Sequence, residues 1–416
     1  VRQVAKEFAK QGKPEKAVQL HEYNVETYPA DANAVWSQVD VFQMLVDGND
    51  LTAEDWAAAD AAVAELLTKF AGNAELAKAV RKAGDIYNAR GRPDKAMDLW
   101  SANVESAPNS VDAMLSQMDI IYAYIDNNDV NDATVDGQVD RMLTKFASQP
   151  KLPQQVHDIG SRYRDKKNYD RAIHFYNLVD HKWPKTDFAL WARSEAGKTH
   201  ILRGDDESVH STIDALIADF KDHEKMPLVV FRFGEKYYGR AFVDPNKCRA
   251  VKSNESLTKA KNVWEKIIAQ RISPESIEFK HAHYFSGLCY RKLGQPDKVI
   301  RHLQQVVDNW PEYQFAWSAQ ALIGECYEWL KQSGKLPASA ADPNIIKAYK
   351  AVIEDYPDCS LVGHACLKLG NIHFKAGQWD EAARYFGLFL EKAPKDVRQA
   401  TALYQLGETY EKMGEL

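Results

Sequence analysis

The sequence predicts an all-α solenoid of about ten and a half helix–turn–helix repeats. Three observations predict it. First, an apolar residue, Gly, two residues and an aromatic, followed by Ala-x3-aromatic and then Pro, recur along the chain. Second, a pair of such units is itself duplicated in the N-terminal half. Third, the 416 residues are 45% hydrophobic and 27% charged, an ordinary mixture for a packed protein. No apolar run approaches the roughly 18 residues of a membrane span.

The cleanest unit is Leu361 to Pro394. Cys366, Leu369, Gly370 and His373 share one face of a helix by their spacing. Gly370 leaves room there for a second helix, and Gly377 sits in the usual helix-stop position. Asp380 heads the next helix, where a carboxylate favours the free N–H groups. Ala382, Phe386 and Phe389 form its inner stripe, and Pro394 ends it.

The other units follow in order. The first has Val1, Val4, Ala5 and Phe8, the turn Gly12-Lys13-Pro14, then Ala17, His21 and Pro29. The second has Ala34 to Val46, a turn at Asp47 to Asp50, Thr52 as a cap and a long helix from Trp56 to Phe70. The third has Gly84, Tyr87, Gly91, Ala96, Trp100 and Pro108. The fifth has Gly160, Tyr163, Ala172, Tyr176 and Pro184, and the sixth Gly197, His200, Gly204, Val209 and Ile213. In the seventh, Gly234 and Tyr237 precede an insertion from about Gly239 to Ser256, before Ala260 and Trp264. The eighth has Gly287, Tyr290, Gly294, Val299, Leu303 and Pro311. The ninth has Gly324 and Tyr327, then a second insertion, KQSGKLPASAADP, before Ile345, Tyr349 and Pro357. An eleventh begins at Leu403, Leu406, Gly407 and Tyr410. The units fall at about 1–32, 33–73, 74–110, 111–150, 151–186, 187–224, 225–275, 276–313, 314–359, 360–396 and 397–416.

The duplication is read directly. GKPEKAVQL at Gly12 matches GRPDKAMDL at Gly91, and NVETYP at Asn24 matches NVESAP at Asn103, both offset by 79. Ser37-Gln38 and Ser116-Gln117 keep that offset, as do Asn49-Asp50 and Asn128-Asp129. LLTKFA at Leu66 matches MLTKFA at Met142 at an offset of 76. The N-terminal half therefore grew by copying a two-unit block.

In aggregate this pattern resembles the tetratricopeptide repeat, W-x2-L-G-x2-Y…A-x3-F…P over about 34 residues. In the unit at Leu361, Cys366 stands for the Trp and His373 for the Tyr. The later units, with Tyr-Pro or Trp-Pro ends, look most like repeats of bacterial cell-envelope proteins. The resemblance implies a right-handed superhelix with the first helices lining a concave groove. Asn24 and Asn103 occupy a second-helix site where the family prefers Ala, which puts the local packing there in doubt.

Net charge is −6 with mixed signs and no basic block, which argues against a nucleic-acid partner. The chain opens without Met inside a helical pattern and reads as a mature or trimmed product. Its compartment stays open, with a lean to the bacterial envelope or the exterior. The five cysteines, 248, 289, 326, 359 and 366, form no CxxC; Cys289 and Cys326 recur at one repeat position and read as buried packing thiols. No cofactor and no metal site is expected. His281-x-His283 is not a helical metal pair, because residues two apart face different ways. The turn Asp126 to Asp132 lacks oxygen donors at Val130 and Ala133 for a calcium loop. Ser256-x2-Lys259 has no companion motif of a serine acylase. Asn254-Glu255-Ser256 is a glycosylation sequon in a segment expected to be exposed.

The residues after each first-helix Gly are Asp85, Ser161, Lys198, Glu235, Leu288, Glu325, Asn371 and Glu408, which do not form the carboxylate clamp of some family members. A different surface is the candidate. Three stripes run along the first helices of units six to eight: Trp191, Ser194, Lys198, Ile201; Leu228, Phe231, Glu235, Tyr238; and His281, Tyr284, Leu288, Arg291. Stacked in a concave groove, they suit a peptide or helix partner. The function expected is a non-catalytic scaffold for protein–protein or protein–peptide interaction. The alternative is a structural subunit that self-associates end to end into a filament. An enzyme is the least favoured class, because the repeats leave no room for a catalytic domain.

Overall fold

The computed structural model describes residues 1–127, 131–248 and 250–414. Among the described residues there are twenty-one helices and no strand beyond one isolated bridge, Phe242 to Val251. The helices run α1 Arg2–Lys10, α2 Pro14–Thr27, α3 Ala32–Leu45, α4 Ala53–Lys69, α5 Leu76–Ala89, α6 Pro93–Ser106, α7 Val111–Asp126, α8 Asp132–Lys145, α9 Leu152–Asp165, α10 Tyr169–Lys182 and α11 Asp187–Arg203. They continue α12 Asp206–Asp219, α13 Met226–Arg240, α14 Asn254–Ala269, α15 Ile277–Lys292, α16 Pro296–Asn309, α17 Ala316–Gln332, α18 Ala338–Asp355, α19 Val362–Lys375, α20 Trp379–Lys392 and α21 Gln399–Met413. Odd-numbered helices are the first helices of hairpins, and even-numbered ones the second. The chain forms two compact units, Val1–Ala192 and Arg193–Leu416. Each is an α-solenoid segment built of helices packed largely on their chain neighbours. Among the described residues no helix is long and apolar enough to cross a membrane.

The turns follow from local chemistry. Gly12, Gly91, Gly294 and Gly377 end first helices at φ of +72°, +75°, +70° and +70°. Pro14, Pro93 and Pro296 then open second helices, where a missing N–H costs nothing. In the fifth hairpin Lys167 takes the left-handed position at φ +64°, a strain of roughly 1 kcal/mol that glycine would avoid. Thr52 and Asp55 close a reciprocal capping box on α4.

At Gly84, Gly160, Gly234, Gly287, Gly324 and Gly370 the hairpin closes by seating a side chain of the second helix on the first-helix glycine. A Cβ built on Gly370 would lie 2.6 Å from the Phe386 ring, on Gly160 2.8 Å from Tyr176 and on Gly287 2.7 Å from Leu303. Trp100 on Gly84 and Trp264 on Gly234 are closer still. At Gly197 the ring comes instead from Phe233 of the following hairpin. The core is shared between hairpins: Tyr290, Leu303, Tyr313, Ile323 and Ala348 form one cluster across α15 to α18. No hairpin could bury that surface alone, so adjacent repeats stabilise one another.

A polar relay also links neighbours. Tyr87 on α5 donates to Asp60 on α4 at 2.5 Å, and Lys95 on α6 pairs with the same carboxylate at 2.9 Å. Tyr237, Asp206 and Lys259 repeat this across α13, α12 and α14, with distances of 2.6 Å to both partners of Asp206. Tyr290 donates to Glu265, while the Lys298 ammonium stands 5.0 Å from the Tyr290 ring centroid. Burial pushes the Glu265 carboxyl up, but hydrogen bonds from His302 and Tyr290 and the Lys261 charge outweigh it and hold it at about 2.

Two expectations change here. Asn24 and Asn103 do not disturb packing. Asn24 Nδ2 donates to Ser37 Oγ at 2.9 Å, and Asn103 Nδ2 to Ser116 Oγ at 2.8 Å, all four residues being buried. Loss of either partner would leave a buried polar atom unpaired, a cost of about 1–3 kcal/mol. The residues of the insertion KQSGKLPASAADP fall at the end of α17, in the turn and in the first turns of α18, with Pro343 inside that helix. The insertion after Tyr237 is shorter than expected, because α13 runs to Arg240 and α14 starts at Asn254. Between them Val243 N–H bonds Ala250 C=O at 3.0 Å and Phe242 is fully buried.

Candidate functional site

Ion pairs bridge successive first helices at a repeating position. In the first unit Arg2 Nε lies 2.7 Å from Asp40 Oδ2, and Arg81 Nε 2.6 Å from Asp119 Oδ2. These two pairs are themselves 79 residues apart in sequence, copies of one another. Arg162 on α9 and Lys166 just after it both reach Asp126 at the end of α7, the lysine at 3.0 Å. In the second unit Arg291 Nη2 lies 2.6 Å from Glu325 Oε2, and Lys368 Nζ 2.6 Å from Glu328 Oε2. Gln405 Nε2 donates to Asn371 Oδ1 at 2.7 Å. This ladder neutralises the first-helix face, so most of it offers a partner little uncompensated charge.

Between α13 and α15 the ladder gives way to rings. Phe231 lies 5.4 Å from Trp264, 5.6 Å from His281 and 6.0 Å from Phe285, centroid to centroid. Tyr238 lies 4.9 Å from Phe242 and 6.1 Å from Phe285. Tyr284 stacks on Phe315 at 4.9 Å with an interplanar angle of 18°. His281 Nδ1 and the Tyr313 hydroxyl share a hydrogen bond of 2.5 Å, and Tyr284 Oη lies 3.0 Å from Ser318 Oγ. Burial pushes the His281 imidazole below its ordinary value, against the pull of Glu278, so the ring is neutral near pH 7. Burial likewise raises the Tyr238 and Tyr313 phenols. The result is an apolar, hydrogen-bond-capable surface with four rings still partly open to solvent: Tyr238, His281, Phe285 and Phe315.

The predicted stripes divide on this geometry. Ser194, Ile201, Phe231 and Tyr284 are 0%, 0%, 3% and 7% exposed and belong to the packing beneath the surface, not to its face. Leu228, Tyr238, His281 and Leu288 are half-buried at its edge, and Arg291 and Glu235 are exposed. Lys198 pairs with Glu195 on its own helix at 2.8 Å and acts by charge on Glu235. Trp191 is partly buried on α11. Phe285 and Phe315 went unnoticed in the sequence. Phe285 follows Tyr284 by one position, a 100° turn around the helix, and Phe315 lies in the turn that enters α17.

The remaining motifs have structural partners. His281 and His283 face different neighbours, His283 being packed against Phe279, His302 and Trp310. Among the described residues no group of three or more His, Cys, Asp or Glu could hold a metal ion. In the turn Asp126 to Asp132, residues 128–130 lie outside the described residues, as do Asn128-Asp129 of the duplication. Asp126 pairs with Arg162 and Asp132 with Arg171. Lys259 is engaged by Asp206, and Asn254 is an exposed first residue of α14. All five cysteines are free thiols; Cys289, Cys326 and Cys366 are buried, and burial lifts Cys326 and Cys366 to about 12.

A family model for the tetratricopeptide repeat matches residues 283–313 and 365–396, segments of the α15–α16 and α19–α20 hairpins. A glycine-and-ring closure is also present at Gly84, Gly160, Gly234 and Gly324. The α15–α16 and α19–α20 hairpins are similar to the tetratricopeptide repeat, and helical hairpins continue along the rest of the described chain. The chain is similar to the C-terminal part of a repeat-containing protein of this kind from Cytophaga hutchinsonii, at 16% identity and a TM-score of 0.38, over 69% of this chain and 99% of that one. It is also similar to PilW, described as a widely conserved type IV pilus biogenesis factor, at 14% identity and a TM-score of 0.31, over 61% of this chain and 99% of that one. A tetratricopeptide repeat protein from Parabacteroides merdae shows 12% identity and a TM-score of 0.29, over 71% and 98% of the two chains. No curated protein matches the sequence.

Proposed function

We propose that the chain is a non-catalytic scaffold that binds a peptide or helix of a partner protein on the first-helix face of α13, α15 and α17. The observation that supports it most is the exchange of the ion-pair ladder for partly open rings at that place. Solenoids of this class present their extended faces to partners. Large aromatic side chains in partly open positions are groups that anchor such contacts. Phe285 is the expected anchor, flanked by Tyr238, His281 and Phe315. Arg291 and Glu235 would sit at the polar rim, and Phe231 and Tyr284 would support the rings from below.

The test is a peptide selected on the full chain from a random display library. Phe285→Ser is expected to weaken its binding by about tenfold or more, as loss of a central anchor does. Leu403→Ser on α21, exposed and remote in sequence, should leave it unchanged. Equal affinity for the wild type and Phe285→Ser would remove the basis for this surface.

End-to-end self-association is the second reading. In α21 Leu403 and Tyr404 are 62% and 67% exposed, and nothing is seated on Gly407. A second copy docked there would extend the array. Sedimentation at increasing concentration decides it: a mass that stays at one chain up to high concentration counts against self-association.

A further inference from the structure

A second surface lies along α16, α17 and α18. The second helices α16 and α18 flank α17 and leave a cleft of about 630 Å³ between them. That is within the size range of ligand sites, roughly 300–1,000 Å³. Its floor carries Trp317 and Tyr327 of α17, and Tyr356 closes one end, all three partly open to solvent. Asp308, Glu312 and Asp355 stand around these rings, against one ammonium, that of Lys347. Asp355 and Glu312 both act on the Tyr356 phenol, whose pKa burial and these two charges raise.

The charge is what sets the cleft apart. On the first-helix face, Glu325 is neutralised by Arg291 of the preceding first helix and Glu328 by Lys368 of the following one. Among the described residues, Asp308, Glu312 and Asp355 have no such ion pair; Asp308 only accepts a 2.7 Å bond from Gln304 on its own helix. Three carboxylates left uncompensated beside open aromatic faces repel one another and attract a cation with a planar, stackable group. Amides of Gln314, Gln320 and Asn344 line the same walls and can bond a peptide backbone.

We infer that this cleft is a docking site for an arginine-bearing segment of a partner protein, the guanidinium stacking on Trp317 or Tyr356 and pairing with Glu312 and Asp355. A guanidinium fits better than an ammonium, because it offers both a face to the rings and a fork to the carboxylates. The site adjoins the ring surface of α13, α15 and α17 through the shared Tyr313, but Trp317, Glu312 and Asp355 are not part of that surface.

The experiment titrates the full chain calorimetrically, at low salt, with an acetylated and amidated octapeptide of alternating glycine and arginine. Glu312→Gln with Asp355→Asn is expected to weaken binding about tenfold. Trp317→Ala should do the same, while far-UV circular dichroism confirms that each variant is folded. Glu22→Gln with Glu26→Gln, an equal charge change on exposed positions of α2, should weaken it less than about twofold. The matching glycine–lysine peptide should bind more weakly than the arginine peptide. No binding by the wild type, an equal loss from the two double variants, or equal affinity for lysine and arginine peptides would overturn the assignment.

Discussion

Replacing Gly234 with alanine is expected to destabilise the second unit by about 2–3 kcal/mol, whereas Gly407→Ala is neutral or stabilising by up to about 1 kcal/mol. The two glycines occupy the same position of the repeat. At Gly234 a methyl group would overlap the indole of Trp264, which is 0% exposed and donates its Nε1–H to Phe231 C=O at 3.2 Å. The indole can yield only by giving up that bond and its rotamer, the usual cost of overpacking a dense core. At Gly407 a methyl group meets nothing within 4 Å, so only the helix propensity of alanine remains. Urea denaturation of the full chain, followed by circular dichroism and by tryptophan fluorescence, reads both. Equal shifts in the two variants would mean that the glycine serves backbone conformation and not the seating of a ring.

Acid is expected to weaken the second unit well before carboxylates titrate. His283 is 7% exposed, packed against Phe279, Trp310 and His302, and its Nδ1 has no hydrogen-bond partner. Burial, helped by the charge of His302, pushes it down to about 4 from an ordinary 6.5. Between those values the unfolded chain binds a proton that the folded chain refuses. Stability from this group is therefore full above about pH 6.5 and falls as pH drops toward 4, by up to about 3 kcal/mol. His21, His281 and His364 are shifted the same way by burial. Glu265 acts in a separate window. Its carboxyl is held at about 2, so its contribution persists until pH falls from the ordinary 4.5 toward 2. His283→Phe puts a ring that cannot take a proton into the same slot. Its melting temperature should fall less than that of the wild type between pH 7.5 and 4.5, and parallel curves would exclude His283 as the cause.

The fold was readable because its closure is local. Gly370 with Phe386 and Gly84 with Trp100 are each sixteen residues apart, and the turn glycines between them mark where the chain reverses. Where sequence and structure part, the deciding contact lies outside one hairpin. Asn24 and Asn103 looked out of place because their serine partners lie on the next first helix, although both partners recur at the offset of 79. The stretch from Lys331 to Pro343 read as an insertion without a placement in helix or turn, and the faces of α17 and α18 beside it are buried at Leu330, Ala341 and Ile345. Helical spacing alone placed Phe231 and Tyr284 on an outer face. Only the neighbouring helix shows that Trp264 and Phe315 cover them and that Phe285 is the ring left open. The ion ladder escaped notice for the same reason: Arg291 and Glu325 are thirty-four residues apart.

Amide hydrogen exchange of the full chain, with and without a saturating display-selected peptide, tests most directly whether the ring surface is where a partner binds. Protection confined to α13, α15 and α17, lost with the Phe285→Ser variant, is the predicted result. Protection confined to α1 through α9, or a footprint unchanged by Phe285→Ser, would contradict it.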